Sequence, residues 1–380
     1  MRYTHLLFLP LLLAAAGPAA AANNTVFANS FEATWVSGYH VGYQKEMYPT
    51  TEIDFAGMSH LVIGRVAPKT NGGLIKTFDI DDVNGPLWAQ DVATKTHAHG
   101  IKAILMVGGA GETAWSSAAA PGTRTAFVSA LLGAMDQIGA DGLDLDWEPL
   151  YDADHPNLLA LAQALRTARP NIVLTIPIGW FNANFANPVE PFYAQLAAYF
   201  DQINIMSYDM AGSWDGWQSW HSSALFGATP TTPSSIDSSV DFLLRSGVPR
   251  YKLGIGLPFY GTCWGNVSGP LQGGGYVINS DNVFSYHNIV TSYYSAANSY
   301  WDDISKVPYL GSNTPFGALG CKFLSYDNEV SIAAKGAYTH RNGLGGTIIW
   351  TIGQGYFPEL PVGQRNPLLE AVRSAFNPTP

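Results

Sequence analysis

The chain alternates between short apolar runs and longer stretches in which apolar residues recur at helical spacing. The short runs are rich in Ile, Val and Leu, which is typical of strands buried on both faces of a parallel sheet. Eight runs have this character: Trp35–Tyr39, His60–Ile63, Ile101–Val107, Gly142–Trp147, Ile172–Ile176, Gln202–Met206, Leu253–Leu257 and Thr347–Thr351.

Amphipathic segments between these runs have the period expected of helices that cover a sheet. The clearest are Thr123–Ile138, the segment opened by Asp154-His155-Pro156, Ser235–Arg245 and Ser331–Arg341. Eight strand–helix units predict an α/β fold, a (β/α)8 TIM barrel. A doubly wound open sheet is the alternative, but no Gly-x-Gly-x-x-Gly turn follows the first run.

One connection is much longer than the others and is predicted to form a small inserted subdomain. It follows the seventh run, and its part from Thr262 to Gly320 is rich in Gly, Asn, Ser and aromatic residues. We place it between strand 7 and helix 7, on the face of the barrel where functional sites lie. Residues 23–380 are assigned to one barrel that includes this subdomain.

Residues 1–22 have the features of a secretory signal peptide. Arg2 supplies positive charge, the apolar stretch from Leu6 to Ala16 is too short to span a bilayer, and Ala20–Ala22 fits a cleavage site. The sequence therefore predicts a secreted, extracellular protein.

The composition narrows the class of partner. Charged residues make up only 13% of the chain, the net charge is −10, and there are 11 Trp, 19 Tyr and 18 Phe. Because no Lys/Arg cluster is present, nucleic acid is not an expected partner. Aromatic rings with polar edges suit neutral sugars. We expect no membrane partner, no metal, no cofactor, and a monomer.

The run Asp141–Glu148 carries the candidate chemistry. It places acidic residues at 144, 146 and 148 and apolar residues at 143, 145 and 147. In a strand, alternate side chains share a face, so Asp144, Asp146 and Glu148 would form a column of carboxylates. Because neighbouring carboxylates cannot all ionise cheaply, the column predicts shared protons and shifted pKa values.

The chain has two cysteines, Cys263 and Cys321. In an exported protein they could form one disulfide bridge, and two buried thiols are the alternative.

Several motifs together resemble those of the family 18 glycoside hydrolases, the chitinase family. The strongest is Asp141–Glu148, which is similar to the Asp-Gly-x-Asp-x-Asp-x-Glu signature of the fourth strand in that family. The others are Gly38-Tyr39, Met206-Ser207-Tyr208-Asp209, the segment 253–261, Trp301-Asp302-Asp303, the segment 306–309, Ser325-Tyr326-Asp327 and the segment 345–350.

The resemblance implies roles for these residues. Glu148 would be the general acid and later the base, and Asp146 would orient the substrate's N-acetyl group, which acts as nucleophile. Asp144 would share a proton with Asp146, and Tyr208 would donate to the acetamido carbonyl. The remaining substrate contacts predicted are Trp350, Asp209, Met206, Tyr39, Trp214, Tyr260, Trp115 and Trp220.

The chain departs from the family pattern at two positions near the acids. Met106 stands where the family has a serine that hydrogen-bonds the inner aspartate, and Pro149 stands where a tyrosine commonly follows the glutamate. Neither departure removes an acid or a base.

The predicted function is that of a chitinase acting on chitin or chitooligosaccharides with retention at the anomeric carbon. One alternative is an endo-β-N-acetylglucosaminidase that cleaves N-glycan cores. Another is a non-catalytic chitin-binding lectin, although such proteins typically lack the glutamate present here as Glu148. A purely structural or storage barrel would have no reason to keep the acidic column.

Overall fold

The computed structural model describes residues 34–185 and 188–377. The predicted signal peptide, residues 1–22, lies outside the described residues. Within the described part of the chain, no helix has the length and apolar character needed to cross a bilayer.

Eight parallel strands form a closed barrel in which each strand pairs with its neighbours in chain order. The first strand pairs with both the second and the last, which closes the barrel. The strands are β1 Trp35–Val41, β2 His60–Pro68, β3 Lys102–Gly109, β4 Gly142–Trp147, β5 Val173–Ile178, β6 Gln202–Ile205, β7 Leu253–Pro258 and β8 Gly346–Trp350. A short strand, Leu74–Ile75, runs antiparallel to β2.

Seven of the eight strands are followed by a covering helix. These helices are Asn84–Ala98, Arg124–Ile138, His155–Ala168, Pro191–Tyr199, Ile236–Arg245, Glu329–Asn342 and Pro367–Phe376. The expectation of eight complete strand–helix units is wrong at β1, where the described residues contain only the 3-10 turn Gly42–Gln44 before β2. The helix predicted from Ser331 begins earlier because the Asn328 side chain accepts hydrogen bonds from the Val330 and Ser331 amides and so caps it.

Alternation along the strands separates two apolar cores. The barrel interior is filled by Tyr39, Val41, Val62, Ile104, Met106 and Ile348. Leu143, Leu145 and Trp147 on β4 belong to the second and larger core. Because side chains on a strand alternate, Asp144 and Asp146 lie on the opposite face of β4, among the interior residues.

The connection after β7 contains a five-stranded antiparallel sheet. In sheet order its strands are Tyr276–Asn279, Thr262–Gly265, Cys321–Ser325, Val307–Phe316 and Ser299–Asp302. The sheet ends at Ser325 rather than at the predicted boundary, Gly320. A disulfide bond between Cys263 and Cys321 joins two neighbouring strands at its centre.

Candidate active site

The two aspartates of β4 are enclosed by the barrel, whereas the glutamate stands at its open end. Asp144 is 0% exposed and Asp146 is 3% exposed. Glu148 follows the last residue of the strand and is half-buried. The carboxyl ends of the other strands meet at the same rim, so this end of the barrel gathers the side chains that could act with these acids.

Asp144 is held by hydroxyl groups from two other strands. The Tyr39 hydroxyl donates to Oδ2 at 2.8 Å and the Thr175 hydroxyl donates to Oδ1 at 2.5 Å. Burial raises the pKa of Asp144 to about 6, although these two hydrogen bonds oppose the shift. Sequence reasoning missed Thr175, whose inward parity on β5 was its only signal. Met106 on β3 is the sheet partner of Asp144, and its side chain has no hydrogen-bond donor. Tyr39 and Thr175 supply the donors instead.

Asp146 forms a pair with Glu148. Burial raises the pKa of Asp146 well above its usual value, and the charges of Glu148 and Asp144 add to this, while the charge of Arg65 opposes it. Burial also raises the pKa of Glu148, and its hydrogen bond with Asp146 lowers it. We predicted that Asp146 shares a proton with Asp144. In the structure Asp146 instead hydrogen-bonds Glu148, and Asp144 acts on it only as a neighbouring charge.

Tyr208 and Asp209 follow β6 and face the same centre. Tyr208 is 9% exposed, and burial raises its pKa well above its usual value, as do the charges of Glu148 and Asp146. Its hydroxyl therefore remains protonated and can donate. Asp209 accepts a hydrogen bond from the Tyr260 hydroxyl at 2.6 Å, and its amide donates to the Ser222 hydroxyl.

Trp350 is the last residue of β8, the strand that lies across the barrel from β4. It is half-buried, and its ring centroid is 5.4 Å from that of Tyr39. The Trp350 indole N–H donates to Asp281, which also accepts from the Gln354 amide at 2.6 Å. Asp281 belongs to the connection after β7, so this connection reaches back to the site. Sequence reasoning missed Asp281 because no local pattern marks it.

A cavity of about 280 Å³ adjoins Glu148. Its walls include Trp180, which follows β5, Met206, which follows β6, and Tyr193 of the helix Pro191–Tyr199. A second cavity, of about 310 Å³, lies next to Asp141 at the start of β4, at the other end of the barrel from the acids. Of these two cavities, the one at Glu148 is next to the acids and could receive part of a ligand.

The sequence profile of glycosyl hydrolases family 18 matches residues 36–355. The chain belongs to this family. The match extends from β1 to the turn after β8 and so includes Asp144, Asp146, Glu148 and Trp350.

Curated relatives agree with the family 18 assignment, and a solved structure shares the fold. The chain is 29% identical to a probable endochitinase of Caenorhabditis elegans over 66% of this chain and 43% of the relative, and 29% identical to chitinase A1 of Niallia circulans over 78% and 46%. It thus spans about half the length of these relatives. The fold is shared with a group IV chitinase of Ostrinia furnacalis, solved in complex with allosamidin, at a TM-score of 0.75 and 23% identity, covering 90% of this chain and 98% of that one.

Two of the outer aromatic residues predicted as substrate contacts of this family 18 chain lie in the core instead. Trp115 is 1% exposed and stacks on Trp147 with ring centroids 4.9 Å apart. Trp220 is 2% exposed, and its indole N–H donates to the Ser234 carbonyl. Both predictions are wrong, because a tryptophan close to a strand end in sequence can still pack inward. Trp214, by contrast, is 45% exposed.

Two tyrosines predicted as substrate contacts act on carboxylates instead. Tyr39 is 1% exposed and Tyr260 is 2% exposed, so their rings offer almost no surface to a ligand. Their hydroxyls hold Asp144 and Asp209, respectively. We therefore correct their role from binding substrate to positioning the acids.

Within residues 34–185 and 188–377, one group of side chains has metal-ligating atoms close together. Asp152, His155 and Glu190 place one such atom each within 4.8 Å of the others. The Asp152 side chain is 97% exposed, and exposed acidic groups often cluster without an ion. Such a group does not by itself identify a metal site.

Proposed function

We propose that this chain is a chitinase that hydrolyses β-1,4 bonds between N-acetylglucosamine units, with retention and with the substrate's N-acetyl group as nucleophile. The observation that carries the proposal is the hydrogen-bonded pair of Asp146 and Glu148 beside the buried Asp144. Such a pair can hold one proton and move it between two carboxylates, which is what an acid–base step requires.

The relatives support chitin as the substrate class. Curated relatives of the chain carry the names endochitinase and chitinase. A structural neighbour, a class V chitinase of Nicotiana tobaccum, was solved in complex with NAG4. We extend this substrate class to the present chain because its acids have the arrangement described above.

Glu148 is positioned to protonate the leaving oxygen. It is half-buried, lines the cavity beyond β4, and has a raised pKa because of burial. A carboxyl group in this setting keeps its proton at a higher pH than an exposed glutamate and can give it to the departing sugar. The same carboxylate then removes a proton from the water that opens the cyclic intermediate.

Asp146 is the partner for the acetamido N–H. Its Oδ1 atom is buried and has no hydrogen-bond partner among the described residues. If Asp146 turns from Glu148 to the ligand, the proton of the pair remains on Glu148, where the first step needs it. Asp146 then carries the negative charge that stabilises the oxazolinium ring, and the Tyr208 hydroxyl donates to the acetamido oxygen.

The test is product analysis on chitotetraose, with the anomers measured before they equilibrate. We expect the β-anomer first and no cleavage of fully deacetylated chitosan, because an amine cannot close the oxazolinium ring. Glu148→Gln should bind the tetramer and fail to cut it. Release of the α-anomer first, or cleavage of deacetylated chitosan at the same rate as chitotetraose, would overturn the mechanism. Binding by the wild-type chain without turnover would indicate a lectin, and preference for a glycoprotein would indicate an N-glycan enzyme.

We also propose that the protein is exported and acts outside the cell as a monomer. The support is the signal-like pattern of residues 1–22, together with the bridge between Cys263 and Cys321, since disulfides persist in oxidising compartments. Sequencing the N-terminus of the secreted product should place the cut near Asn23. Retention of the full chain inside the cell would contradict export, and light scattering of the product checks the monomer.

A further inference from the structure

Arg65 brings a positive charge to the rim of the barrel beside the acids. It lies on β2, and its side chain is 31% exposed. Its Nη1 atom donates to the Gly108 carbonyl at 2.7 Å, and its Nε atom donates to Asp79 at 3.2 Å. One guanidinium therefore joins the end of β3 to the loop that carries Asp79.

The end of β3 that Arg65 holds is packed tightly on Asp146. Gly108 pairs with Asp146 in the sheet, and its φ of 91° is one that L side chains rarely adopt. A Cβ atom on Gly108 would lie 2.3 Å from the Asp146 carbonyl oxygen. Only glycine permits this close approach. A shift of β3 at Gly108 would therefore also displace the backbone of Asp146.

The charges that face Asp146 are mostly negative. Glu148 and Asp144 act on it as carboxylates, and the hydroxyls of Tyr208 and Tyr39 face the same carboxylates. Arg65 opposes them with a positive charge, which Asp79 partly neutralises. Arg65 is thus placed to influence both the geometry and the protonation of the reacting pair.

We propose that Arg65 is a positioning residue of the hydrolysis: it fixes the end of β3 against Asp146 and sets the pH range in which the Asp146–Glu148 pair holds a single proton. The inference rests on the proposed function, since it concerns the acids of that reaction. It adds a residue from β2 to a site whose other members lie on or follow β1, β4, β5, β6, β7 and β8.

The sign of the effect follows from electrostatics. A nearby positive charge favours the ionised form of a carboxyl group, so removing it raises both apparent pKa values of the pair. The active form carries one proton, and both limbs of the kcat/KM profile should therefore move to higher pH in Arg65→Met. Asp79→Asn leaves the arginine unneutralised and should move both limbs to lower pH. Each shift should be roughly half a pH unit or more for one charge at an effective dielectric constant near 20.

Two further variants separate charge from geometry. Arg65→Lys keeps the charge, but one ammonium group does not reproduce the fork that reaches Gly108 and Asp79 together. We expect its profile to stay at the wild-type pH while kcat falls several-fold. Arg245→Met is the control for net charge, because Arg245 pairs with the exposed Asp241 and should leave the profile unchanged.

The measurement is the pH dependence of kcat and kcat/KM on a chitooligosaccharide for these four variants, with near-ultraviolet circular dichroism to confirm folding. Opposite shifts in Arg65→Met and Asp79→Asn support the inference. An unmoved profile in both, or the same shift in Arg245→Met, overturns it while the proposed function stands. If Arg65→Met does not fold, the shift in Asp79→Asn decides. Full activity of Glu148→Gln would instead overturn the proposed function.

Discussion

At the scale of single residues, the three acids differ in the groups that they contact. Asp144 has its two oxygens occupied by Tyr39 and Thr175, whereas Asp146 pairs with Glu148. Asp144 is therefore a fixed charge or proton reservoir, and Asp146 is the member whose partner a ligand can replace. The acids of one column therefore have different surroundings.

Asp144 should make the folded protein less stable as the pH rises. Its pKa is about 6 in the fold, against 3.8 for an ordinary aspartate, because of burial. The folded state thus keeps a proton that the unfolded state releases, and stability falls as pH rises from about 4 to about 6. Two pKa units correspond to about 3 kcal/mol.

We therefore expect Asp144→Asn to be more stable than the wild type at pH 7 by a margin that shrinks at pH 4. Urea unfolding of both proteins at the two pH values measures this difference. Asp215→Asn, at an exposed position, serves as the control for losing one negative charge. An equal effect of Asp144→Asn at both pH values would show that ionisation of the buried carboxyl does not lower the stability of the fold.

At the scale of elements, the site depends on the segment inserted after β7 as well as on the barrel strands. Asp281 lies in the 3-10 turn Asp281–Phe284 and accepts the indole N–H of Trp350 on β8. The orientation of this tryptophan is therefore set by an element remote from it in sequence. An aspartate of the same segment, Asp303, also accepts an indole N–H, from Trp301, but it is exposed.

Asp281→Ala should weaken substrate binding because Trp350 loses the acceptor that fixes its ring. We expect KM on chitooligosaccharides to rise several-fold, with a smaller change in the pH profile, since the acids of β4 keep their contacts. Asp303→Ala removes the equivalent bond outside the site and should leave KM unchanged. Equal effects of the two substitutions would mean that the Asp281–Trp350 bond has no particular role in binding.

At the scale of the whole molecule, the disulfide joins the beginning and the end of the inserted segment. Cys263 and Cys321 are separated by 58 positions in sequence. Closing a loop of this length stabilises the fold by about 4 kcal/mol in the chain-entropy model. The bond therefore restricts the conformations that the segment carrying Asp281 can adopt in the unfolded chain.

Replacing both cysteines by serine should lower the melting temperature by several degrees without removing the barrel. Calorimetry of the double variant, and of the wild type with and without reductant, measures the loss. Reductant should lower the wild-type melting temperature toward that of the variant and leave the variant itself unchanged. A wild-type melting temperature that does not respond to complete reduction would contradict a stabilising bridge.

Much of the architecture was predictable because it depends on periodic patterns. The eight apolar runs correspond to the eight barrel strands, with ends that differ by a few residues. Alternation in 141–148 is enough to place Asp144 and Asp146 on the face opposite Leu143 and Leu145. The replacement of a covering helix after β1 by the turn Gly42–Gln44 was not predictable in this way, because this connection does not repeat the unit seen after the other strands.

Local spacing was therefore enough to predict the eight strands, the column of acids and the family. The fold was needed to show that Trp115 and Trp220 are core residues, that Tyr39 and Tyr260 hold carboxylates, and that Thr175 and Asp281 contact residues of the site. The physical reason is that burial and hydrogen-bond partners arise between strands distant along the chain, where no local pattern records which side chains meet.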